Sequence, residues 1–231
     1  NAFPIESGSQ PPDDKQEDWP KLVQSIRSTP RVRVVVLNHP RNVHSEFQPF
    51  GAANFNPVTG ENRHGPEFTF DAVEVVTSAA LQSDPMLGFR DWFALLNHGY
   101  RVAGVGSSDS HDVSRYIVGQ GRTYVACRDD MAATIDVDEA CESFLKGRML
   151  VSMGLLTQMT VNERFGVGDL ATGLGDELRV HVDVLGPSWV TADRVELFAN
   201  GVKIREQRLE GDTRLVEKAK LTWTIPRPEH D

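Results

Sequence analysis

Apolar and polar residues change their rhythm along this chain near residue 154. Before it, short unbroken apolar runs stand between stretches of helical period. Val32-Arg-Val-Val-Val-Leu37 reads as a strand buried on both faces, and Asp71-Ala-Val-Glu-Val-Val-Thr77 as the next strand. Leu22, Val23 and Ile26 fall on one side of a helix expected near residues 19–28. Asp84-Pro85 supplies a cap and a first-turn proline for a heavily apolar helix running to about His98, with Gly99 at its end. A strand at 102–106 follows directly, and this strand–helix–strand order predicts a right-handed parallel crossover. Arg122–Cys127 reads as a further strand. Asp136 then caps a helix with Glu139 three residues on, Gly147 ends it, and Met149–Ser152 is another strand.

Beyond residue 154 the period becomes two. Val180, Val182 and Val184 alternate with Arg179, His181 and Asp183, which predicts one buried and one wetted face. Asn200-Gly201, between further alternating stretches, is a strong hairpin signal. The expected architecture is therefore α/β followed by all-β: an α/β unit over 1–153 and a β-sandwich-like domain over 154–231.

Composition narrows the function. The 231 residues are 39% hydrophobic and 25% charged, with a net charge of −9. Acids and bases are interspersed without a basic run, which argues against a nucleic-acid groove or an anionic membrane surface. No apolar run approaches the roughly 20 residues of a membrane span. Cys127 and Cys141 form neither a Cys-x-x-Cys motif nor a disulfide framework, and Cys141 falls on the apolar stripe of its helix. The chain starts at Asn1 and carries no secretory pattern, so it reads as a piece of a longer soluble protein whose compartment stays open, secretion and periplasm included.

The densest chemistry is Gly106-Ser-Ser-Asp-Ser-His111, at the end of the 102–106 strand. Asp109 and His111 would bring a carboxylate and an imidazole to the rim of a sheet, where open and closed α/β sheets place their chemistry. The 32–37 strand ends the same way, in Asn38-His39-Pro40-Arg41. His39, Asp109 and His111 are the candidate metal ligands. Glu74, a carboxylate inside an apolar strand, reads either as a partner of those ligands or as a structural anion paired with an arginine. Arg41, Arg115 and Arg122 flank the site; each reads either as holding an anionic substrate group by its bidentate fork or as merely satisfying a carboxylate, with Arg41 and Arg115 the candidates for the substrate role. His44 and His64 read as solvated loop residues, His98 as a helix-end residue, and His181 as an outward strand residue. The long 42–70 stretch reads as a lid or binding loop.

These residues resemble those of the PHP (polymerase and histidinol phosphatase) superfamily of metal-dependent hydrolases, in its CehA/McbA-like branch. The matching pieces are Asn38-His39-Pro40-Arg41, Asp71-Ala-Val-Glu-Val75, Gly106-Ser-Ser-Asp-Ser-His111 and Gly147-Arg-Met-Leu-Val-Ser-Met-Gly154, with Asp193-Arg-Val-Glu-Leu-Phe-Ala-Asn-Gly201 further on. The resemblance implies a partial distorted (β/α)7 barrel plus a β-sandwich-like domain. It implies two or three divalent metal ions (Zn, Mn or Fe) held partly by His39, Asp109 and His111, with Asn38 and Glu74 behind them. It further implies cleavage of a small-molecule phosphoester or a carboxylic or carbamic ester. The family's opening His-x-His strand has no counterpart here, so the chain is expected to hold an incomplete centre and to be inactive alone. Association with a missing N-terminal portion, or with a second copy, follows from that expectation. The rival expectation is a non-catalytic module that recognises a glycan or a protein through the sandwich and the 42–70 loop.

Overall fold

The computed structural model describes residues 1–13, 15–42, 48–65, 69–77, 84–111, 113–114, 117–210 and 215–229. In chain order the elements are β1 (Ala2–Phe3), α1 (Trp19–Ser28), β2 (Val34–Leu37), β3 (Ala72–Thr77), α2 (Met86–Asn97), β4 (Ala103–Ser107), β5 (Arg122–Val125), α3 (Val137–Leu145) and β6 (Met149–Ser152). Then come β7 (Leu156–Val161), β8 (Glu177–Leu185), β9 (Arg194–Ala199), β10 (Val202–Arg208) and β11 (Glu217–Pro226).

The unbroken apolar runs form the centre of a four-stranded sheet in the order β1-β2-β3-β4. Val34–Leu37 is buried at every position because both faces are covered. Val35, Leu37, Val73 and Val75 pack with Trp19, Phe50 and Leu95 on one side. Val34, Val36, Ala72 and Val105 pack with Cys141 and Met149 on the other. β2 runs parallel to β3, and β3 parallel to β4, so the C-terminal ends of these three strands share one rim. The α2 crossover lies close against β3: a Cβ at Gly88 would sit 2.5 Å from the carbonyl oxygen of Val75. The Trp92 indole N–H donates to the Val102 carbonyl at 2.8 Å and fixes the far end of that crossover. The cap of α3 follows the sequence, with the Asp136 carboxylate accepting from the Asp138 and Glu139 amides.

The expected barrel does not form. Among the described residues there are four separate sheets, of four, two, three and two strands, and only three α-helices against eleven strands. The two-residue β1 runs antiparallel along the outer side of β2. β5 and β6 pair with each other as an antiparallel ribbon rather than extending the parallel ladder. Apolar runs specify buried strands but not the ladder that would close them, and here the ladder stops at β4.

The expected sandwich is likewise corrected. β11, β8 and β7 make a three-stranded antiparallel sheet, and β9–β10 is a separate hairpin over the same apolar cluster of Leu178, Val180, Val182, Leu197 and Ile225. Alternation set which side chains face inward but not how many strands assemble. The hairpin turns at Asn200 (φ 50°) and Gly201 (φ 80°), the left-handed pair that a tight two-residue loop requires. Its tip rests on α2: Phe198 and Phe93 lie 5.7 Å apart, and the Asn97 amide donates to the Asn200 carbonyl at 3.0 Å. Among the described residues, no helix is long and apolar enough to cross a membrane.

Candidate functional site

The common rim of β2, β3 and β4 gathers most of the residues singled out above. Glu74, on β3, is 4% exposed. One of its carboxylate oxygens accepts from the His39 backbone N–H at 2.5 Å, beyond the end of β2. The other accepts from the Ser107 hydroxyl at the end of β4. One buried carboxylate thus ties the two flanking strand ends together. Burial pushes the Glu74 pKa above the usual carboxylate range; the Ser107 and His39 hydrogen bonds and the His39 charge oppose that rise, while the Asp109 charge adds to it. The Asn1 nitrogen lies 2.8 Å from the Val36 carbonyl oxygen and 3.2 Å from the Asn38 side-chain oxygen.

Two of the predicted ligands sit on unusual backbone. His39 has φ 31° and Asp109 has φ 47°. The left-handed region is uncommon for residues other than glycine, and where it is held it is held by its surroundings. The His111 ring Nδ1 lies 2.7 Å from the Asp109 carbonyl oxygen. A carbonyl only accepts, so Nδ1 carries the proton and the Nε2 lone pair is the one available to a metal in the neutral ring. The His111 side chain is 75% exposed.

Of the two readings open to Arg41, the structure shows the carboxylate partner. Its Nε and Nη2 donate to the two oxygens of Asp91 at 2.5 and 2.8 Å. Asp91 lies on α2 and is 1% exposed, and its hydrogen bonds hold the Arg41 guanidinium above its ordinary pKa. The Nε–Nη2 edge of Arg41 is therefore engaged by a helix residue. Arg115 and His44 lie outside the described residues. His64 stands beside Trp19, with ring centroids 5.4 Å apart, and burial lowers its pKa.

Glu74 senses both His39 and Asp109, so the rim residues share one electrostatic neighbourhood. Imidazole and carboxylate donors suit Zn, Mn or Fe. Among the described residues, however, no group of three or more His, Cys, Asp or Glu side chains is placed to hold a metal ion. The donors have the right chemistry, and by themselves they do not make a centre.

Sequence reasoning passed over two residues. Ser107 lay inside the Gly106–His111 motif without a role of its own. Asp91 was readable as a lone acid in an otherwise apolar helical stretch, which is the signature of a buried ion pair. No family model, curated protein or solved structure matches the chain.

Proposed function

We propose that this chain carries part of the metal site of a PHP-like hydrolase that cleaves a small phosphoester or a carboxylic or carbamic ester. The observation that carries the reading is the Glu74 tie, which sets His39 and the Ser107–His111 turn on one rim. In this reading His39, Asp109 and His111 supply the ligands, with the rest coming from outside them. Glu74 orients the His39 backbone, Ser107 spaces the β4 end against it, and Asn38 lines the approach. When bound, a divalent ion supplies Lewis acidity toward the scissile ester.

Calorimetric titration of the chain with Zn²⁺ or Mn²⁺ tests this. Asp109→Ala, His39→Ala and His111→Ala should each weaken binding about tenfold or more. In the intact protein, Asp109→Ala should abolish hydrolysis of p-nitrophenyl phosphate and p-nitrophenyl acetate. Metal binding that all three substitutions leave unchanged would sink the proposal.

One observation favours the non-catalytic reading. Residues 48–65 are organised around stacked Phe50 and Phe55 rings, 4.5 Å apart, and around the Asn62 amide donating to the Tyr100 hydroxyl at 2.8 Å. They surround a depression of about 510 Å³ walled by Asn54, Phe55, Pro57 and Asn62. Glycan or protein recognition there would survive EDTA, whereas metal-dependent hydrolysis would not.

A further inference from the structure

We infer that Asp91 is a positioning residue that sets the His39 imbidazole through Arg41, an inference that rests on the proposed metal role of His39. Asp91 is fully buried on a helix that otherwise contributes mainly apolar side chains to the core. A carboxylate in that setting is tolerable only when paired and hydrogen-bonded, and Arg41 meets both oxygens with its planar fork. The pair does more than neutralise a charge, because of where each partner is anchored.

Arg41 lies two residues beyond His39, inside a tight turn. The Asn42 amide donates to the His39 carbonyl at 2.9 Å, and the Phe50 amide donates to the Pro40 carbonyl at 3.0 Å. His39 is thus held on one side by Glu74 and on the other by the turn in which Arg41 sits. Asp91 in turn stands on a helix fixed at several points: Gly88 against Val75, Trp92 on Val102, and Asn97 under the hairpin tip. The fork therefore transmits a fixed helix position to a turn whose His39 backbone has φ 31°. A strained backbone persists only while its surroundings over-determine it. With the fork gone, the turn relaxes toward ordinary φ and the imidazole changes its aim, although Glu74 still holds the N–H.

The test pairs Asp91→Asn, which keeps the shape and removes the charge, with Arg41→Lys, which keeps the charge and removes the fork. Two readouts are taken on folded protein: Zn²⁺ affinity, and the ring ¹H–¹⁵N NMR signals of His39, with His181 as an internal control. The expected result is about a tenfold loss of Zn²⁺ affinity in each variant, with His39 signals displaced and His181 signals unmoved. The double variant should be no weaker than the worse single one, because both changes break the same link. Unchanged affinity and unchanged His39 signals in either folded variant would overturn the inference and leave the pair a structural neutralisation. If the unaltered chain binds no Zn²⁺, the metal reading passes to the intact protein, where Asp109→Ala tests it, and the positioning claim is judged on the His39 signals alone. Should Asp91→Asn not fold, Arg41→Lys decides.

Discussion

The rim shared by β2, β3 and β4 and the sheet formed by β7, β8 and β11 treat polar side chains in opposite ways. On β8 every charged residue of the alternation faces outward. His181 sits there between the Thr222 hydroxyl and the Asp183 carboxylate, at 3.0 Å from each, and the apolar partners Val180, Val182 and Val184 are buried beneath. At the rim, by contrast, two carboxylates are drawn inside, Glu74 and Asp91, each held by hydrogen bonds to its neighbours. The sheet keeps its charged side chains on the outer face, whereas the rim buries two of them. Departures of that kind collect where a protein does its chemistry.

The largest effect should come from the sheet. Leu178 is 5% exposed in the cluster between the sheet and the hairpin. Leu178→Ala should cost about 3 kcal/mol in urea unfolding, from lost transfer energy and the cavity left behind. The ring signals of His39 should not move in the folded variant. If they do, the hairpin tip on α2 couples the two regions and the contrast between them narrows.

A smaller and more telling effect belongs to Glu74. Glu74→Ala leaves the His39 N–H and the Ser107 hydroxyl without their acceptor, a loss of about 2 kcal/mol at most, because the cost of a buried charge disappears with it. The pH dependence separates the two contributions. A carboxyl group whose pKa burial has raised binds its proton more tightly in the folded state than in the unfolded one. Stability from Glu74 is therefore fully present at acid pH and is lost as pH climbs from the ordinary carboxylate range through the raised value. The groups facing Glu74 are Ser107, His39 and Asp109. Urea midpoints measured across that window should fall with rising pH in the unaltered chain and flatten in Glu74→Ala. A slope that survives the substitution would assign the titration to another group.

Much of the rim was legible in the chain because it is built from local signals. The runs at Val34–Leu37 and Ala72–Thr77, the proline-initiated α2 and the capped α3 all carry their own period and punctuation. The parallel pairing of β3 with β4 followed from the helix between them. What periodicity could not deliver was closure and partner choice. Nothing local says that β5 pairs with β6 alone, or that Leu156–Val161 joins β8 as an edge strand. The same limit applies to the site. The rim position of Asp109 and His111 was readable from the strand before them, but which carboxylate Arg41 would meet was not, because Asp91 stands fifty residues away and reaches it through tertiary packing.

The smallest expected effect lies on the β9–β10 hairpin, and it tests whether charge itself or burial of charge separates the two regions. Glu196 accepts from the Arg194 Nε at 2.9 Å and faces the Lys203 Nζ at 3.3 Å, while Lys203 reaches Glu206 at 2.5 Å. By count of contacts this ladder looks stronger than the Glu74 tie. Its members all keep contact with solvent, however, which with salt screens each pair, and long side chains lose rotamer freedom to meet. Glu196→Gln should therefore leave the urea midpoint unchanged at about 0.15 M salt, and lower it only slightly at low ionic strength. A clear drop at high salt would mean that the hairpin ladder is cooperative. Burial would then not be what distinguishes the rim, and the case for Glu74 as the tie that organises the site would rest on its geometry alone.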